Sequence, residues 1–411
     1  MGSEIREIFC NQCEKTLSDS EVIQRLREER FDAVITENFD FCGIGLSHLI
    51  GAKSAIVAST ATIFENVAND LGIPVLPSYH PAFNTMEMEP SSFWSRVENT
   101  LNTLKMELQW GMTKRCCDRV FKATFGSDFP DLSYLTSQAS LVLTNAEPLI
   151  DFGRPLLRKV VDLGGIALKE PKPLDEKWTR LLSLREHTVL VSFGSIARSV
   201  LMARQRKDAL LRSFARFPNI TFIWKYETED EYAREEIARV ANVVGTPWMP
   251  QNDLLNDPRV TGFISHGGMS SCQEAAARGV PGIFIPLFGD QPRNAGAMAH
   301  HGLGIALDKR EALEQDKVTD ALRRLLRDNA KKTSRMLSRR PFSPRELLVK
   351  HVEFAAEFGS AKSLTPRGLE LGWIQYFLVD VIAAALLLAI SILAVVVYVI
   401  HSCARRLLKR S

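Results

Sequence analysis

The chain contains 411 residues, 24% of them charged, and its formal net charge of +3 is close to neutral. This length exceeds what one hydrophobic core usually organises, so we expect two domains. Because lysines and arginines are spread along the chain, the composition excludes the basic footprint of a nucleic-acid-binding protein, and no nucleic acid partner is expected.

The 7 cysteines include the spacing Cys10-x-x-Cys13 and the adjacent pair Cys116-Cys117. Neither pair is matched by a second ligand pair or by the histidine spacing of a zinc site, so we predict no metal site. Disulfide bonds are compatible with a lumenal location of the chain, but the sequence leaves their pairing open.

Three short apolar runs separated by helical stretches occupy the first part of the chain. We predict strands over Phe31–Ile35, Ser54–Ala58 and Leu141–Leu143. This alternation is typical of a doubly wound α/β domain, and the three strands correspond to its later half. We therefore expect residues 1–169 to form an incomplete first domain of a chain that starts inside a longer protein.

Two histidines in this part are predicted to have no catalytic role. His48 lies in the apolar helical stretch Leu46–Ile50, which favours a packed or capping residue. His80 lies in the proline-rich loop Pro77–Pro81. It could line a small-molecule pocket, but a surface-loop position is the favoured interpretation.

A stretch without hydrophobic periodicity runs from Gly164 to Trp178, and we place the domain boundary near Lys169. Beyond Arg180, short apolar runs alternate with helical segments, which predicts a complete parallel sheet with crossover helices over residues 170–368. An amphipathic helix is predicted over Leu347–Phe358. The apolar runs contain Val189, Phe222, Val243, Phe263, Ile283 and Ile305.

Basic residues are concentrated between Arg323 and Arg340. A solvated helix face is the favoured interpretation, and contact with anionic lipid headgroups is the alternative. The run comprises Arg323, Arg324, Arg327, Lys331, Lys332, Arg335, Arg339 and Arg340.

The segment from Trp248 to Gln291 contains most of the residues that suggest chemistry. A predicted strand over Ala241–Val244 precedes Trp248 and Gln251. Both residues therefore follow the carboxyl end of a strand, where ligands of open α/β sheets bind. Trp248 provides an aromatic surface and Gln251 a hydrogen-bonding amide.

A second predicted strand, Val260–Ser265, leads into the turn His266-Gly267-Gly268. The following residues, Ser270–Arg278, form a predicted helix that ends at Gly279. Two glycines let the backbone approach a ligand closely, and the start of a helix presents free N–H groups and a positive dipole. The pattern predicts a site for a diphosphate.

Acidic and amide side chains complete this segment. Glu274 lies four residues after Ser270, so both project from one helix face, and the carboxylate could accept hydrogen bonds from a ribose. A third predicted strand, Gly282–Pro286, is followed by Asp290 and Gln291, which could bind sugar hydroxyls. Each feature alone is weak, but their order favours a nucleotide-sugar site.

This segment closely resembles the signature of the UDP-glycosyltransferases, and the sequence IPLFGDQPRNA resembles the animal UDP-glucuronosyltransferase branch. The resemblance implies an α/β fold of GT-B type, with two doubly wound Rossmann-like domains. The first domain, incomplete here, would bind the acceptor, and residues 170–368 would bind the UDP-sugar donor. A C-terminal transmembrane helix completes the expected architecture.

The resemblance also implies a role for each residue of the site. Trp248 would stack on uracil, Gln251 would contact the nucleoside and Glu274 the ribose. Asp290 and Gln291 would bind the transferred sugar. The family commonly has Asn where this chain has Ser270. The residues expected along the diphosphate are Ser195, from the turn Ser192-Phe193-Gly194-Ser195, and His266, Gly268, Ser270 and Ser271.

The implied reaction is transfer of a hexuronosyl or hexosyl group, with inversion, from UDP-glucuronate or UDP-glucose to a small lipophilic acceptor. No cofactor is expected. In the family a histidine removes the acceptor proton and a carboxylate holds that histidine charged. The strand ending at Glu37, followed by Cys42-Gly43, resembles the strand that bears this carboxylate, with Glu37 in place of Asp. We expect the histidine to lie outside this sequence.

A hydrophobic span extends from Phe377 to Ile400, interrupted only by Asp380 and Ser391. At ~1.5 Å per residue it covers ~36 Å, more than the ~30 Å hydrocarbon core of a bilayer. We therefore predict one transmembrane helix over residues 374–400. The pattern of Trp373 to Tyr376 before the span also resembles the membrane entry of the family.

The tail, residues 401–411, contains Arg405, Arg406, Lys409 and Arg410, whereas residues 369–376 before the span contain no basic residue. The positive-inside rule predicts a cytosolic tail and a lumenal body, as for a single-pass protein of the endoplasmic reticulum. A lumenal body needs a targeting signal, and the first residues lack an apolar targeting segment. This favours a truncated chain, and a complete chain would instead insert by its tail with a cytosolic body.

Two other functions remain open at this point. The chain could be a non-catalytic membrane-bound partner that binds the donor or forms homo- or hetero-oligomers with related transferases. It could also be a general binder of apolar ligands, although this would leave Glu274, Asp290 and Gln291 without a role. The sequence leaves open the acceptor and the choice between glucuronate and glucose.

Overall fold

The computed structural model describes residues 2–39, 41–325 and 331–408. The chain divides into two compact units, one that extends to Leu364 and one that starts at Thr365. The first unit contains two separate parallel sheets, whose strands lie before and after the predicted boundary near Lys169. Three basic residues named above, Arg327, Lys409 and Arg410, lie outside the described residues.

The first sheet has four parallel strands in sequence order. Its first strand starts two residues later than predicted, and its short last strand has no counterpart among the predictions. Side chains on both faces of β2 and β3 are buried, as expected for parallel strands covered by helices. The strands are β1 Ala33–Glu37, β2 Ser54–Ser59, β3 Leu141–Thr144 and β4 Val160–Asp162.

The second sheet has six parallel strands in the order β10-β9-β8-β5-β6-β7. All six runs predicted from sequence form strands, which confirms the α/β fold. The chain proceeds from β5 outward to β7 and then returns to the other side of β5 with β8. The strands are β5 His187–Ser192, β6 Ile220–Lys225, β7 Val243–Thr246, β8 Val260–Ser265, β9 Gly282–Phe284 and β10 Gly304–Ala306.

Helices cover both sheets. The predicted helix Ser270–Arg278 begins one residue earlier, and Leu347–Phe358 begins at Pro344, where the Ser343 side chain caps it. In order, the helices are α1 Gly2–Ser18, α2 Ser20–Glu28, α3 Cys42–Leu49, α4 Glu65–Asp70, α5 Phe93–Phe125, α6 Leu132–Ser137, α7 Glu176–Leu182, α8 Arg204–Phe214, α9 Gln251–Leu255, α10 Met269–Arg278, α11 Gln291–His300, α12 Gln315–Leu325, α13 Lys331–Ser338, α14 Pro344–Phe358, α15 Trp373–Tyr376 and α16 Val379–Leu408.

Two disulfide bonds connect α1 to neighbouring helices. Cys10 is bonded to Cys116 on α5, and Cys13 is bonded to Cys42 at the start of α3. These bonds lie beside a core that contains Phe64, Trp110 and Phe121. Both members of the first cysteine pair noted in the sequence therefore bond residues distant in the chain, and so does Cys116 of the second pair.

Several local expectations are wrong. His80 is 8% exposed rather than at the surface, because Asn99 on α5 donates to its carbonyl oxygen at 2.8 Å. The prediction for His48 holds in part, because its ring packs edge-on against Phe129 although the residue is exposed. The irregular linker ends before Trp178, which is buried in α7. Arg340, in the basic run, is not a solvated residue, since it forms an ion pair with Glu147 at 2.9 Å.

The second unit contains the two helices α15 and α16. A left-handed residue, Leu378 (φ 53°), separates them. The segment Val379–Tyr398 of α16 has a mean hydropathy of 2.9, and its length and composition suit a membrane-spanning helix. Asp380 lies in the first turn of this helix, so a position near a membrane interface would spare it the hydrocarbon core.

Candidate functional site

The predicted site residues of the second domain converge at the carboxyl edge of its sheet. Ser192 pairs in register with Ser265, and Ser265 pairs with Phe284, so the turns after β5, β8 and β9 are neighbours. The chain reverses its direction of travel across the sheet between β5 and β8. Open α/β sheets bind ligands in the crevice at such a switch point.

Two glycine turns enclose the imidazole ring of His266. A β-carbon on Gly194 would lie 2.8 Å from the ring, and one on Gly268 would lie 2.6 Å from it. Both distances are shorter than real contacts, so a β-carbon at either position would force the imidazole ring to shift. Gly194 and Gly267 also have positive φ values of 87° and 81°, which favour glycine. The turns after β5 and β8 therefore meet at one histidine.

The helix α10 starts directly after this histidine. Gly268 is its N-cap and provides no side-chain cap, so the first-turn N–H groups have no side-chain acceptor from the cap. Ser270 is exposed and Ser271 is buried in this first turn, and Ser195 is exposed in the turn after β5. The arrangement offers N–H groups, hydroxyls and a positive helix dipole to an anion.

His266 is neutral at physiological pH. Burial, followed by the positive charge of Lys225, lowers its pKa to about 4, although a hydrogen bond with the Ser192 backbone opposes this. An anion beside the ring would favour the protonated form and raise this pKa. Uptake of a proton by His266 on phosphate binding stays a prediction.

Gln251 connects α9 to α10 through a small hydrogen-bond network. Its Nε2 atom donates to Glu274 Oε2 at 2.6 Å and to Ser271 Oγ at 3.1 Å. Burial raises the pKa of Glu274, and the bond from Gln251 opposes this rise. The network holds the carboxylate in place, with acceptor capacity left on its oxygens. The role of Glu274 in ribose recognition stays a prediction.

Trp248 follows β7, and 67% of its surface is exposed. Lys225 at the end of β6 lies 5.2 Å from the centre of the indole ring and donates to the Gly194 carbonyl oxygen at 2.9 Å. Lys225 lies over one face of the indole ring, and the exposed remainder of the ring is free to stack on a ligand. Lys225 therefore links the aromatic platform to the turn after β5.

Asp290 and Gln291 lie at the start of α11 but differ in their surroundings. Asp290 accepts a hydrogen bond from Asn294 Nδ2 at 2.7 Å, and burial raises its pKa. Gln291 is 4% exposed, and its Oε1 accepts from the backbone N–H groups of Leu287 and Phe288. The Gln291 oxygen thus shapes the loop, while Asp290 is the more accessible sugar-binding candidate.

The whole chain, residues 1–411, matches the family model described as UDP-glucoronosyl and UDP-glucosyl transferase. The chain belongs to this family. A bovine UDP-glucuronosyltransferase 3A1 is 30% identical over 92% of the chain and 72% of its own length. The human UDP-glucuronosyltransferase 3A2 is also 30% identical, over 92% of the chain and 72% of its own length. A UDP-glycosyltransferase of Dactylopius coccus is 30% identical over 90% of the chain and 70% of its own length.

Solved glycosyltransferase structures show the same fold at low sequence identity. The glycotransferase of kitacinnamycin aligns with a TM-score of 0.57 at 18% identity, covering 88% of this chain and 82% of its own. Os79 from O. sativa, in complex with UDP, aligns with a TM-score of 0.55 at 16% identity, covering 87% and 84%. These likenesses confirm the GT-B fold for this UDP-glycosyltransferase.

A cavity of about 600 Å³ adjoins Asp290 in this transferase. Its walls include five aromatic side chains and come from the first domain and from the loop before α11. Volumes in this range suit a small organic ligand. The residues that line it are Phe9, Phe39, Phe83, Asn84, Lys105, Met106, Gln109, Trp110, Phe288, Gly289 and Asp290.

Glu37, the predicted catalytic carboxylate, is the last residue of β1. Its Oε2 accepts from the backbone N–H of Phe39 at 2.6 Å, and Phe39 lines the aromatic cavity. Glu37 is therefore close in sequence and structure to a wall of the cavity, but it is not itself a lining residue. Its catalytic role stays a prediction.

Sequence reasoning missed the residues that brace the site from behind. Arg293 is 1% exposed and forms an ion pair with Asp151, after β3, at 2.6 Å, which ties α11 to the first domain. Gln273 on α10 donates to the Asn145 carbonyl oxygen at 2.7 Å across the same contact. For another supporting residue, Asn294, the sequence does offer a signal: it lies four residues after Asp290, a spacing that places both side chains on one helix face.

Proposed function

We propose that the chain binds a UDP-sugar at the carboxyl edge of the second sheet and transfers its hexuronosyl or hexosyl group to a small lipophilic acceptor. The observation that supports this most strongly is the convergence of Gly194, His266 and Gly268 with the Gln251–Glu274 network. The turns and helix start suit a diphosphate, and the network suits a ribose. The UDP moiety would lie with uracil on Trp248.

The geometry also suits the departure of UDP. Negative charge develops on the diphosphate as the bond to the sugar breaks, and preorganised N–H groups of the α10 first turn would stabilise it. The anion would raise the pKa of His266, and the imidazole would add a positive charge by taking up a proton from the solvent. We propose that Asp290 holds the sugar hydroxyls while the acceptor oxygen attacks the anomeric carbon from the aromatic cavity, with inversion. The bond from this carbon to UDP breaks as the new bond forms, and the acceptor's hydroxyl proton passes to water.

We further propose that the chain is a single-pass membrane protein of the endoplasmic reticulum with a lumenal body. The apolar helix Val379–Tyr398 supports an anchor, and the basic residues Arg405 and Arg406 after it support a cytosolic tail. The disulfides Cys10–Cys116 and Cys13–Cys42 suit an oxidising compartment. Protease protection of the body in sealed microsomes is the expected result, and digestion of the body would contradict this topology.

A transfer assay tests the proposed reaction. The full chain in detergent is incubated with UDP-glucuronate or UDP-glucose and a neutral phenol, and the product is detected by mass spectrometry and its anomeric configuration by NMR. We expect an inverted glycoside, with Asp290→Asn lowering kcat/KM at least about tenfold because a charge-assisted hydrogen bond to the sugar is lost. The matched control is Asp320→Asn, an exposed acid on α12.

The results separate the proposed enzyme from the alternative function. Transfer by the wild-type chain that Asp290→Asn weakens and Asp320→Asn does not would support the proposal. Binding of the UDP-sugar without transfer would instead favour the non-catalytic donor-binding partner. A chain that binds no UDP-sugar would contradict both.

A further inference from the structure

The aromatic cavity beside Asp290 has one wall with two different chemical characters. Helix α5 contributes two pairs of residues, each pair one helical turn apart: the polar Lys105 and Gln109, and the apolar Met106 and Trp110. Met106 and Trp110 are both 6% exposed and form an apolar ridge. Lys105 and Gln109 form a polar ridge beside it. A ligand on this wall would meet an apolar surface and a polar edge together.

Of the described residues that line this cavity, Lys105 is the single cation and Asp290 is the single carboxylate. Asp290 already accepts a hydrogen bond from Asn294 at the start of α11. Within the described ranges, no carboxylate forms an ion pair with Lys105, and this residue is exposed at the cavity wall. Among the residues that the structure describes, the cavity therefore offers an ammonium group that forms no ion pair and lies next to aromatic surfaces.

We propose that Lys105 is a specificity-determining residue that binds a carboxylate in this cavity. The inference rests on the proposed function and specifies its substrate class. Two sources of the carboxylate share this chemistry: the C6 carboxylate of a uronosyl donor whose sugar is held at Asp290, and an acidic group on a flat aromatic acceptor. The lysine ammonium group suits either carboxylate, since it is a point charge on a flexible side chain, unlike the rigid planar guanidinium of arginine.

The charge balance of the site supports this assignment. An uncharged hexosyl group would leave Lys105 with water as its partner, whereas a carboxylate would pair with it at the edge of an apolar cavity, where screening is weaker than in bulk water. Aromatic side chains such as Phe39 and Trp110 would cover the flat part of an acceptor. The cavity thus discriminates by charge at one edge and by shape elsewhere.

Calorimetric titration of the full chain in detergent tests the proposal without requiring turnover. The donor arm compares UDP-glucuronate with UDP-glucose, and the acceptor arm compares 2-naphthoate with 2-naphthol in the presence of UDP. We expect Lys105→Gln to weaken the acidic member of one pair about three- to tenfold, the size of a partly exposed charge-assisted contact. The neutral member should change less than about twofold, within measurement scatter.

Two further variants separate a specific contact from a general charge effect. Lys105→Arg should restore most of the affinity for the acidic ligand, because it keeps the positive charge. Arg119→Gln removes a charge from an exposed position of α5 outside the cavity and should change no titration. Loss in the donor arm assigns the carboxylate to the sugar, and loss in the acceptor arm assigns it to the acceptor.

The outcomes also separate this inference from the proposed function. Equal responses of the acidic and neutral ligands to Lys105→Gln in both arms would overturn the role of Lys105, while UDP binding would persist and the proposed function would stand. Failure of the wild-type chain to bind UDP itself would overturn the proposed function and, with it, this inference.

Discussion

Glu274→Gln is the substitution that most sharply tests how the site recognises the nucleotide. The Glu274 carboxylate is fixed by Gln251 at 2.6 Å and retains acceptor capacity for the ribose hydroxyls. A hydrogen bond to a charged group contributes about 1.5–3 kcal/mol. Because glutamine keeps one carbonyl acceptor, we take the lower limit and expect about tenfold weaker UDP binding.

A cycle of two changes isolates the contact with the ribose. Calorimetry would measure UDP and 2′-deoxy-UDP on the wild-type chain and on Glu274→Gln. The wild-type chain should prefer UDP by about tenfold, and the variant should lose most of this preference because both changes remove the same interaction. If the binding free energies lost through Glu274→Gln and through removal of the 2′-hydroxyl simply add when both changes are combined, Glu274 does not bind the ribose.

The fold of the variant should remain intact, which keeps the cycle interpretable. Burial raises the pKa of Glu274, so the buried carboxylate lowers the stability of the folded protein by its desolvation. The neutral glutamine side chain avoids this desolvation of a charge. We expect the melting temperature of Glu274→Gln to match or exceed that of the wild type. Glu314→Gln, an exposed acid at the start of α12, is the matched control and should change neither stability nor affinity.

Three further predictions follow from the same geometry. Gly268→Ala would press a methyl group against His266, so we expect at least about tenfold weaker UDP binding by calorimetry, consistent with a steric cost of 1–3 kcal/mol; unchanged affinity would contradict the close contact. The pKa of His266, about 4 in the free protein, should rise when the diphosphate binds, so the affinity for UDP should increase as the pH falls from 8 to 6.5. Calorimetry in buffers of different ionisation enthalpy should show uptake of up to one proton. The variant His266→Asn should remove this uptake. Replacing Cys13 and Cys42 together by Ala opens a loop with a sequence separation of 29 residues, and the free energy of unfolding, measured by urea titration, should fall by about 3–4 kcal/mol; an unchanged midpoint would show that the bond does not stabilise the fold.

The second domain could be predicted from sequence because its signals are local. Each of its strands is a short apolar run, and the residues that follow β7, β8 and β9 must lie at the same edge of a parallel sheet. The strand order was not available from these runs. The adjacency of β5 and β8, which brings Gly194 against His266, depends on long-range pairing.

The first domain was less predictable because its structure depends on contacts between distant residues. Nothing in the loop around His80 indicates that Asn99, nineteen positions later, holds it inside the protein. The pairing of Cys10 with Cys116 follows from the packing of α1 against α5, and this packing cannot be derived from cysteine spacing.

Gln291 shows a different limit of sequence reasoning. Its position next to Asp290 predicts a role in sugar binding, yet its side-chain oxygen accepts two backbone N–H groups of the preceding loop. An amide that follows an acid in a loop can bind a ligand or shape the loop, and only the folded geometry distinguishes the two. The substitution Gln291→Ala should therefore affect stability as well as sugar binding.

The most direct test of the central claim is a calorimetric titration of the full chain with UDP. We predict binding at one site per chain, with an affinity that Trp248→Ala lowers about 5- to 150-fold, since stacking of a base on an aromatic side chain contributes about 1–3 kcal/mol. Trp94→Ala, a similarly exposed tryptophan on α5, should leave the affinity unchanged. Equal affinity in the wild type and Trp248→Ala, or no binding by a folded wild-type chain, would contradict the account.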